Sequence, residues 1–197
     1  MFTAIRLLFM VLVALLPSVG LYGQTIGSDQ DYKIYAQSIL DLDYSKDSKQ
    51  ISIVDRTIFF GNTADYNDMF GHLKRTSKVL DMDLTLAHAF DRLPASGFVL
   101  EAKFSPQLNY SLISEREAAK TFENINTWDW FYKSHPDSDG IVQLSSIAYN
   151  PSKNMSLHYI SYARSFDWVD AFFVIYSSEK GQCELMEKIK VFHLRPK

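Results

Sequence analysis

Apolar residues alternate with polar ones over residues 140–149, a spacing typical of a β-strand. The apolar positions of this stretch are Ile141, Val142, Leu144, Ile147 and Tyr149. Ile147 and Tyr149 are out of phase with Val142 and Leu144. A two-residue repeat changes phase only where an extra residue enters the strand. The sequence therefore predicts a bulge or a bend at Ser145 and Ser146.

Three further strand-like segments follow, and turn-forming residues separate each from the next. They cover residues 155–163, 171–176 and 183–194. The middle segment is an almost continuous apolar run, rich in aromatic and β-branched side chains, which is typical of a strand covered on both faces. Because the connections between successive strands are short, the pattern predicts an antiparallel meander.

The first half of the chain has mainly helical spacing. Helices are predicted over residues 28–42, after Thr63, from Asp81 or Asp83 to Leu93, and after Ser114. The clearest start signal is the pair Ser114 and Glu117, which has the spacing of a capping box. Further strands are predicted at residues 51–55, 98–104 and 108–113.

Together these patterns predict one α+β domain over residues 24–197. Its sheet is expected to be an antiparallel meander of about four to six strands, with helices packed on one face. This arrangement is similar in architecture to the cone-shaped rolls of the NTF2 type, an analogy that carries no function.

Residues 1–23 have the pattern of a secretory signal peptide. Arg6 precedes a continuous apolar run over residues 7–16, and small residues follow as far as Gly23. The run is short for a bilayer span and stops at Pro17, so no retained membrane anchor is expected. The sequence thus predicts an exported protein, either periplasmic or secreted.

Composition and charge narrow the class of partner. The chain is 47% hydrophobic and 14% aromatic, which argues against disorder. Its formal net charge is −3 at pH 7, with both signs interspersed, so nucleic acid is not an expected partner. Cys183 is the single cysteine and cannot form a disulfide within the chain, so stability is expected to come from packing.

Residues 132–150 carry a resemblance to a family of uncharacterised exported bacterial proteins. The matching motif runs through residues 135–140, His-Pro-Asp-Ser-Asp-Gly, and continues with Leu144-Ser145 and Ile147. The resemblance implies an aromatic helix, a proline and glycine turn and a Leu-Ser strand before the closing meander. The chain departs from the family at Ser146, where an arginine is frequent, and at residues 164–170, where the family has a loop with glycine and cysteine. The family implies no activity.

One alternative function is an exported serine-type hydrolase. Ser145 would be the nucleophile and His158 the base, with a carboxylate to orient the histidine. The available carboxylates are Asp137, Asp139, Asp167 and Asp170. The flanking glycines of a strained nucleophile turn are missing around Ser145, so the sequence favours the interpretation of this serine as part of a bulge.

No metal site or cofactor site is predicted. Residues 137–140 resemble part of a calcium loop, but Ser146 stands where that loop needs a bidentate glutamate. The five histidines are scattered singly, without a zinc-like interval.

The aromatic residues of the C-terminal third indicate a binding surface. They are Trp128, Trp130, Tyr159, Tyr162, Phe166 and Trp168. Most are expected in the core, but Asp167 and Asp170 bracket Trp168 in a predicted loop over residues 164–170. The sequence thus favours a non-catalytic module that binds a small ligand, a glycan or a protein partner through Tyr162, Asp167, Trp168 and Asp170.

Besides the hydrolase, a structural subunit of a cell-envelope complex remains an alternative. That role requires a contiguous apolar patch on the surface.

Overall fold

A seven-stranded mixed sheet organises the computed structural model, which describes residues 27–42, 50–58, 64–94, 97–178 and 182–196. The predicted signal peptide lies outside the described residues. The strands are β1 (Gln50–Val54), β2 (Tyr110–Ile113), β3 (Ser138–Leu144), β4 (Ala148–Tyr149), β5 (Met155–Ser165), β6 (Trp168–Ser177) and β7 (Glu184–Leu194). The helices are α1 (Asp29–Leu40), α2 (Ala64–Thr76), α3 (Lys78–Met82), α4 (Leu84–Asp91), α5 (Glu115–Thr121) and α6 (Asn126–Ser134).

The α+β class and the C-terminal meander are confirmed. The strand order is β2-β1-β3-β5-β6-β7, and β3, β5, β6 and β7 pair antiparallel in that succession. β4 pairs with β5 beyond the end of β3, so the predicted break at Ser145 and Ser146 separates two segments that lie against one long strand.

The sheet is not purely antiparallel, because β1 pairs in parallel with both β2 and β3. Parallel neighbours need long crossover connections. The connection from β1 to β2 contains α2, α3 and α4, and the connection from β2 to β3 contains α5 and α6. The strand predicted over residues 98–104 is reduced to one bridge, between Val99 and Arg56.

Helices cover both faces of the sheet, which corrects the expectation of helices on one face. Tyr32, Ile34 and Tyr35 of α1 pack with one set of alternate β6 side chains, which we call the α1 face: Phe172, Val174 and Tyr176. Ala171, Phe173 and Ile175 point to the opposite face and pack with α2, α3 and α4. Farther along this opposite face, α5 and α6 cover Ile141, Ala163 and Val169. Since β6 is apolar on both sides, it must be buried on both sides.

Side-chain caps fix where several helices begin. Ser28 and Asp31 form a capping box at the start of α1. Ser114 Oγ accepts a hydrogen bond from the Glu117 backbone at 3.1 Å, which confirms the predicted start of α5. None of the helices in the described segments is long and apolar enough to cross a membrane.

Candidate functional site

The segment predicted as a loop at residues 164–170 is mostly strand. Arg164 ends β5 together with Ser165, and Trp168 begins β6, so only Phe166 and Asp167 form the turn. A register shift between Ala163 and Ser165 marks a bulge just before this turn. The hairpin continues past this bulge where the sequence suggested an open loop, because strand pairing extends to Ser165 and Trp168.

Four side chains meet at the tip of this hairpin on the α1 face. We call Tyr162, Arg164, Trp168 and Arg195, with the carboxylate of Asp139 beside them, the hairpin-end surface. The rings of Tyr162 and Trp168 meet edge to face, with centroids 5.5 Å apart. Arg164 places its guanidinium carbon 5.3 Å from the centre of the Trp168 ring, within the range of a cation–π contact.

Asp139 fixes Arg164 from the neighbouring strand. Its Oδ2 atom pairs with Arg164 Nη2 and also accepts a hydrogen bond of 2.7 Å from the Tyr162 hydroxyl. Arg164 Nε donates to the same hydroxyl at 3.1 Å. Burial, together with the bond to Asp139, raises the pKa of Tyr162, so its hydroxyl stays protonated and donates.

Gly140 and Tyr132 bring the start of β3 close to the hairpin. A Cβ atom at Gly140 would lie 2.4 Å from the Ala163 carbonyl oxygen, so only glycine permits this approach. Tyr132 donates from its hydroxyl to the Arg164 carbonyl oxygen at 2.6 Å. Burial raises the pKa of Tyr132 to about 12, which keeps this donor protonated as well. The hairpin end is therefore held from two sides.

Arg195 approaches the same tryptophan from the C-terminal end of β7. Its guanidinium carbon lies 3.8 Å from the centre of the Trp168 ring, and its Nη2 atom pairs with Asp170. The side chain of Arg195 is 28% exposed and that of Arg164 is 37% exposed. Both guanidinium groups thus reach solvent beside Trp168, which is itself half-buried.

Asp170 lies beneath this surface. Its side chain is 0% exposed and carries three basic partners, with Nδ1 of His193 at 2.5 Å, Nζ of Lys190 at 3.4 Å, and Arg195. Buried carboxylates are stable only when paired in this way. Asp170 therefore anchors β7 and Arg195 to β6, and its carboxylate is closed to solvent.

The other acid predicted to bind a ligand, Asp167, lies in the turn itself. Its Oδ1 atom accepts a hydrogen bond of 2.7 Å from Ser165 Oγ, which closes the turn locally. The structure thus brings Tyr162 and Trp168 together, places Asp170 below them, and leaves Asp167 as a turn-forming residue.

Sequence reasoning did not assign a binding role to Arg195, Arg164 or Asp139. Arg195 lies 27 positions after Trp168 in the chain, and only the β6–β7 pairing brings the two together. For Arg164 and Asp139 a signal existed, because β3 and β5 were both predicted and adjacent strands of a meander place such charges side by side.

The structure does not assemble the hydrolase site. Ser145 Oγ accepts a hydrogen bond of 2.9 Å from the Tyr159 backbone N–H and donates to the Ser146 carbonyl oxygen at 2.9 Å. It therefore completes the β-ladder at the bulge. Among the described residues neither ring nitrogen of His158 has a hydrogen-bond partner, so no Ser145–His158 bond exists. Asp170, the proposed orienting acid, is paired with the basic residues at the end of β7.

His158 is a core residue of the α1 face. It is fully buried, stacks on Tyr176 with centroids 6.1 Å apart, and meets the edge of Tyr35 at 5.4 Å. Burial lowers the pKa of His158 to about 3, so the ring is neutral at physiological pH.

The described residues contain no group of three His, Cys, Asp or Glu side chains that could hold a metal ion.

The exposed large hydrophobic side chains of the described residues are distributed over separate elements. Leu84 begins α4, Ile125 lies between α5 and α6, Trp130 lies in α6, and Met186 lies in β7. This distribution does not favour the envelope-subunit alternative, which requires a contiguous patch.

Comparison of the chain with protein-family models, with curated proteins and with solved structures gives no match.

Proposed function

We propose that this chain is an exported, non-catalytic binding module, which holds a small ligand, a glycan or a protein partner at the hairpin-end surface. The observation that carries the proposal is the position of Trp168. Its ring is half-buried at the tip of the β5–β6 hairpin, with the guanidinium groups of Arg164 and Arg195 beside it.

The supporting contacts make this surface rigid before any ligand arrives. Asp139 and the Tyr162 hydroxyl hold Arg164, while the buried carboxylate of Asp170 holds Arg195. Side chains that are already ordered lose little conformational entropy on binding, which favours affinity. Tryptophan and arginine are also the residue types that most often dominate binding energy at interfaces.

The chemistry of the surface suits ligands with a flat or apolar side and acceptor oxygens at its rim. The indole supplies the apolar contact, and guanidinium groups donate several N–H bonds in one plane. Sugars and carboxylate-bearing molecules have both features.

A melting-temperature screen tests the proposal. The wild-type protein is screened with oligosaccharides, small organic acids and short peptides, and compounds that raise the Tm are titrated against Trp168→Phe and Trp130→Phe. Trp130 is the matched control, because it is an exposed tryptophan whose ring lies over Lys120 of α5 and not beside Arg164 or Arg195.

We expect at least one compound to raise the Tm of the wild type and of Trp130→Phe. The same compound should bind Trp168→Phe about tenfold or more weakly, as loss of an interface tryptophan commonly causes. The proposal fails if no compound raises the Tm, or if both variants bind equally well. Arg164→Gln provides a second test should Trp168→Phe be unstable.

A further inference from the structure

β7 is a long strand at the edge of the sheet. It runs over Glu184–Leu194, and among the described strands it pairs with β6 alone. Only Ile189 within it is buried, whereas β6 is buried over nearly its whole length. An edge strand presents backbone N–H and C=O groups on its outer side, and these are a template for a further strand.

The basic residues of β7 lie on one face. Lys188 pairs in register with Val174, Lys190 with Phe172, and His193 with Asp170. These β6 partners alternate along the strand, so all three basic side chains lie on the α1 face. The sequence hides this row, because bulges in β7 shift the phase between residues 185 and 187 and between residues 190 and 192.

The acids of β7 are on the opposite face. Glu187 reaches the start of α3, where it accepts a hydrogen bond of 2.5 Å from Ser77 Oγ and one of 3.2 Å from the Lys78 backbone. The β6 partners of Glu184 and Glu187 are Ser177 and Ile175. These two partners are two positions apart and lie on the same face, so both acids point away from the α1 face. The α1 face of β7 is therefore basic from Lys188 to its end.

Among the described residues, two acids from other elements face this basic row. Asp170 is shared by Lys190, His193 and Arg195, so the basic groups outnumber the carboxylate that they surround. Asp41 contributes its backbone oxygen to Lys188 Nζ at 3.1 Å, and its carboxylate accepts the Tyr176 hydroxyl at 2.7 Å. Around Asp170 the described residues thus supply three basic groups for one carboxylate, in a chain whose net charge is negative.

We infer that β7 binds an extended segment of a partner protein with acidic residues at alternate positions, which adds to the sheet as a further strand. Alternate side chains of a strand lie roughly 6.6 Å apart on one face, so acids at every second position would lie beside the basic row. Strand addition supplies backbone hydrogen bonds, and the charges supply specificity. A second copy of this chain is a poor occupant, since it would place lysine against lysine.

This inference goes beyond the proposed function, because it concerns the edge of β7 and not Trp168. The probe is a synthetic peptide with glutamate at every second position and threonine or valine between. Two further probes separate the contributions. One is the same peptide methylated on the backbone nitrogens of its central residues, and the other is polygalacturonate, a polyanion without amide groups.

The variants are Lys190→Gln/His193→Gln and, as a matched control, His72→Gln/Lys74→Gln. Both pairs remove one lysine and one histidine, and the control pair is exposed on α2, which packs on the opposite face. We expect the acidic peptide to bind the wild type and the control equally, and the β7 variant roughly threefold to tenfold more weakly, as two lost cross-strand charge pairs imply.

The inference is overturned if the methylated peptide or polygalacturonate binds as tightly as the acidic peptide, since either result would show general attraction to negative charge. It is also overturned if both double variants lose affinity equally. The acidic peptide should bind Trp168→Phe as it binds the wild type, so failure here and failure of the hairpin-end surface are distinguishable.

Discussion

Arg195 stacks on Trp168, with 3.8 Å between the guanidinium carbon and the centre of the ring. The same guanidinium pairs with Asp170, which is buried. One contact therefore joins a residue near the end of the described chain to the tip of the β5–β6 hairpin. This relationship makes the stability of the fold depend on the same residues that form the hairpin-end surface.

Arg195→Gln tests the pairing with Asp170. Removing one partner of a buried charge pair leaves the other charge uncompensated, but Lys190 and His193 remain near the carboxylate. We expect a loss of about 1–3 kcal/mol in the free energy of unfolding, measured by urea denaturation. Asp170→Asn/Arg195→Gln should cost at least about 1 kcal/mol less than the sum of the single variants, because it removes the uncompensated charge. Strict additivity would contradict the pairing.

His158 should make stability depend on pH. Its pKa is about 3 in the folded chain, because burial disfavours the charged ring, and about 6.5 when unfolded. The unfolded state thus binds a proton first as the pH falls, so stability present above pH 6.5 is lost progressively below it. Between pH 7.5 and pH 4.5 this histidine should cost roughly 2–3 kcal/mol.

The variant His158→Leu isolates that contribution, because leucine fills the space between Tyr35 and Tyr176 without a titratable group. Urea denaturation at the two pH values should show a smaller loss for the variant than for the wild type. Equal losses would show that His158 is not the titrating group.

Ser145 should matter for stability through its place in the β-ladder. In Ser145→Ala the buried Tyr159 N–H loses its acceptor, which costs about 1–3 kcal/mol. Ser156→Ala is the matched control, because this buried serine of β5 has no hydrogen-bond partner for its hydroxyl among the described residues. Chemical denaturation should rank Ser145→Ala as clearly the less stable, and a similar cost in both variants would argue against the bulge bond.

Two glycine substitutions should have opposite signs. Gly140→Ala places its Cβ against the Ala163 carbonyl oxygen, so we expect a loss of more than about 1 kcal/mol and a disturbed hairpin end. In Gly71→Ala the nearest atom is the end of the flexible Arg75 side chain, at 3.2 Å. Since Gly71 lies inside α2, alanine should stabilise the protein by about 0.5–1 kcal/mol. Thermal denaturation of both variants checks the signs, and a stabilised Gly140→Ala would contradict the close approach of β3 and β5.

The local pattern of the sequence predicted the C-terminal strands, the bulge at Ser145 and the cap at Ser114. Each of these features depends on residues that are close in the chain, where spacing and hydrogen-bonding chemistry decide the outcome. The parallel position of β1 between β2 and β3 could not be predicted in this way, because a strand pattern does not name its partner.

The sequence already indicated that both faces of the sheet are covered. The apolar run at residues 171–176 predicted a strand buried on both sides, and that expectation conflicts with helices on one face. The structure resolves the conflict, since α1 covers one face of β6 while α2, α3 and α4 cover the other.

The candidate site was predicted in part. Tyr162 and Trp168 do meet at the hairpin end. Asp170 was interpreted as a loop acid, but its position in β6 makes it the buried partner of bases from β7. Its role follows from the register between β6 and β7, including two bulges, and this register is a property of the folded sheet.

The most direct test of the proposed function is a titration followed through the three tryptophan indole N–H signals in ¹H–¹⁵N spectra. The compound with the largest Tm shift is added to ¹⁵N-labelled protein, and Trp168→Phe and Trp130→Phe assign the signals. Binding at the hairpin-end surface should shift the Trp168 signal and leave that of Trp130 in place, since the exposed Trp130 ring lies over Lys120. The Trp128 ring packs against Tyr132, which bonds the hairpin end, so its signal should shift less than that of Trp168. A shift of the Trp128 or Trp130 signal without one at Trp168 would contradict the account.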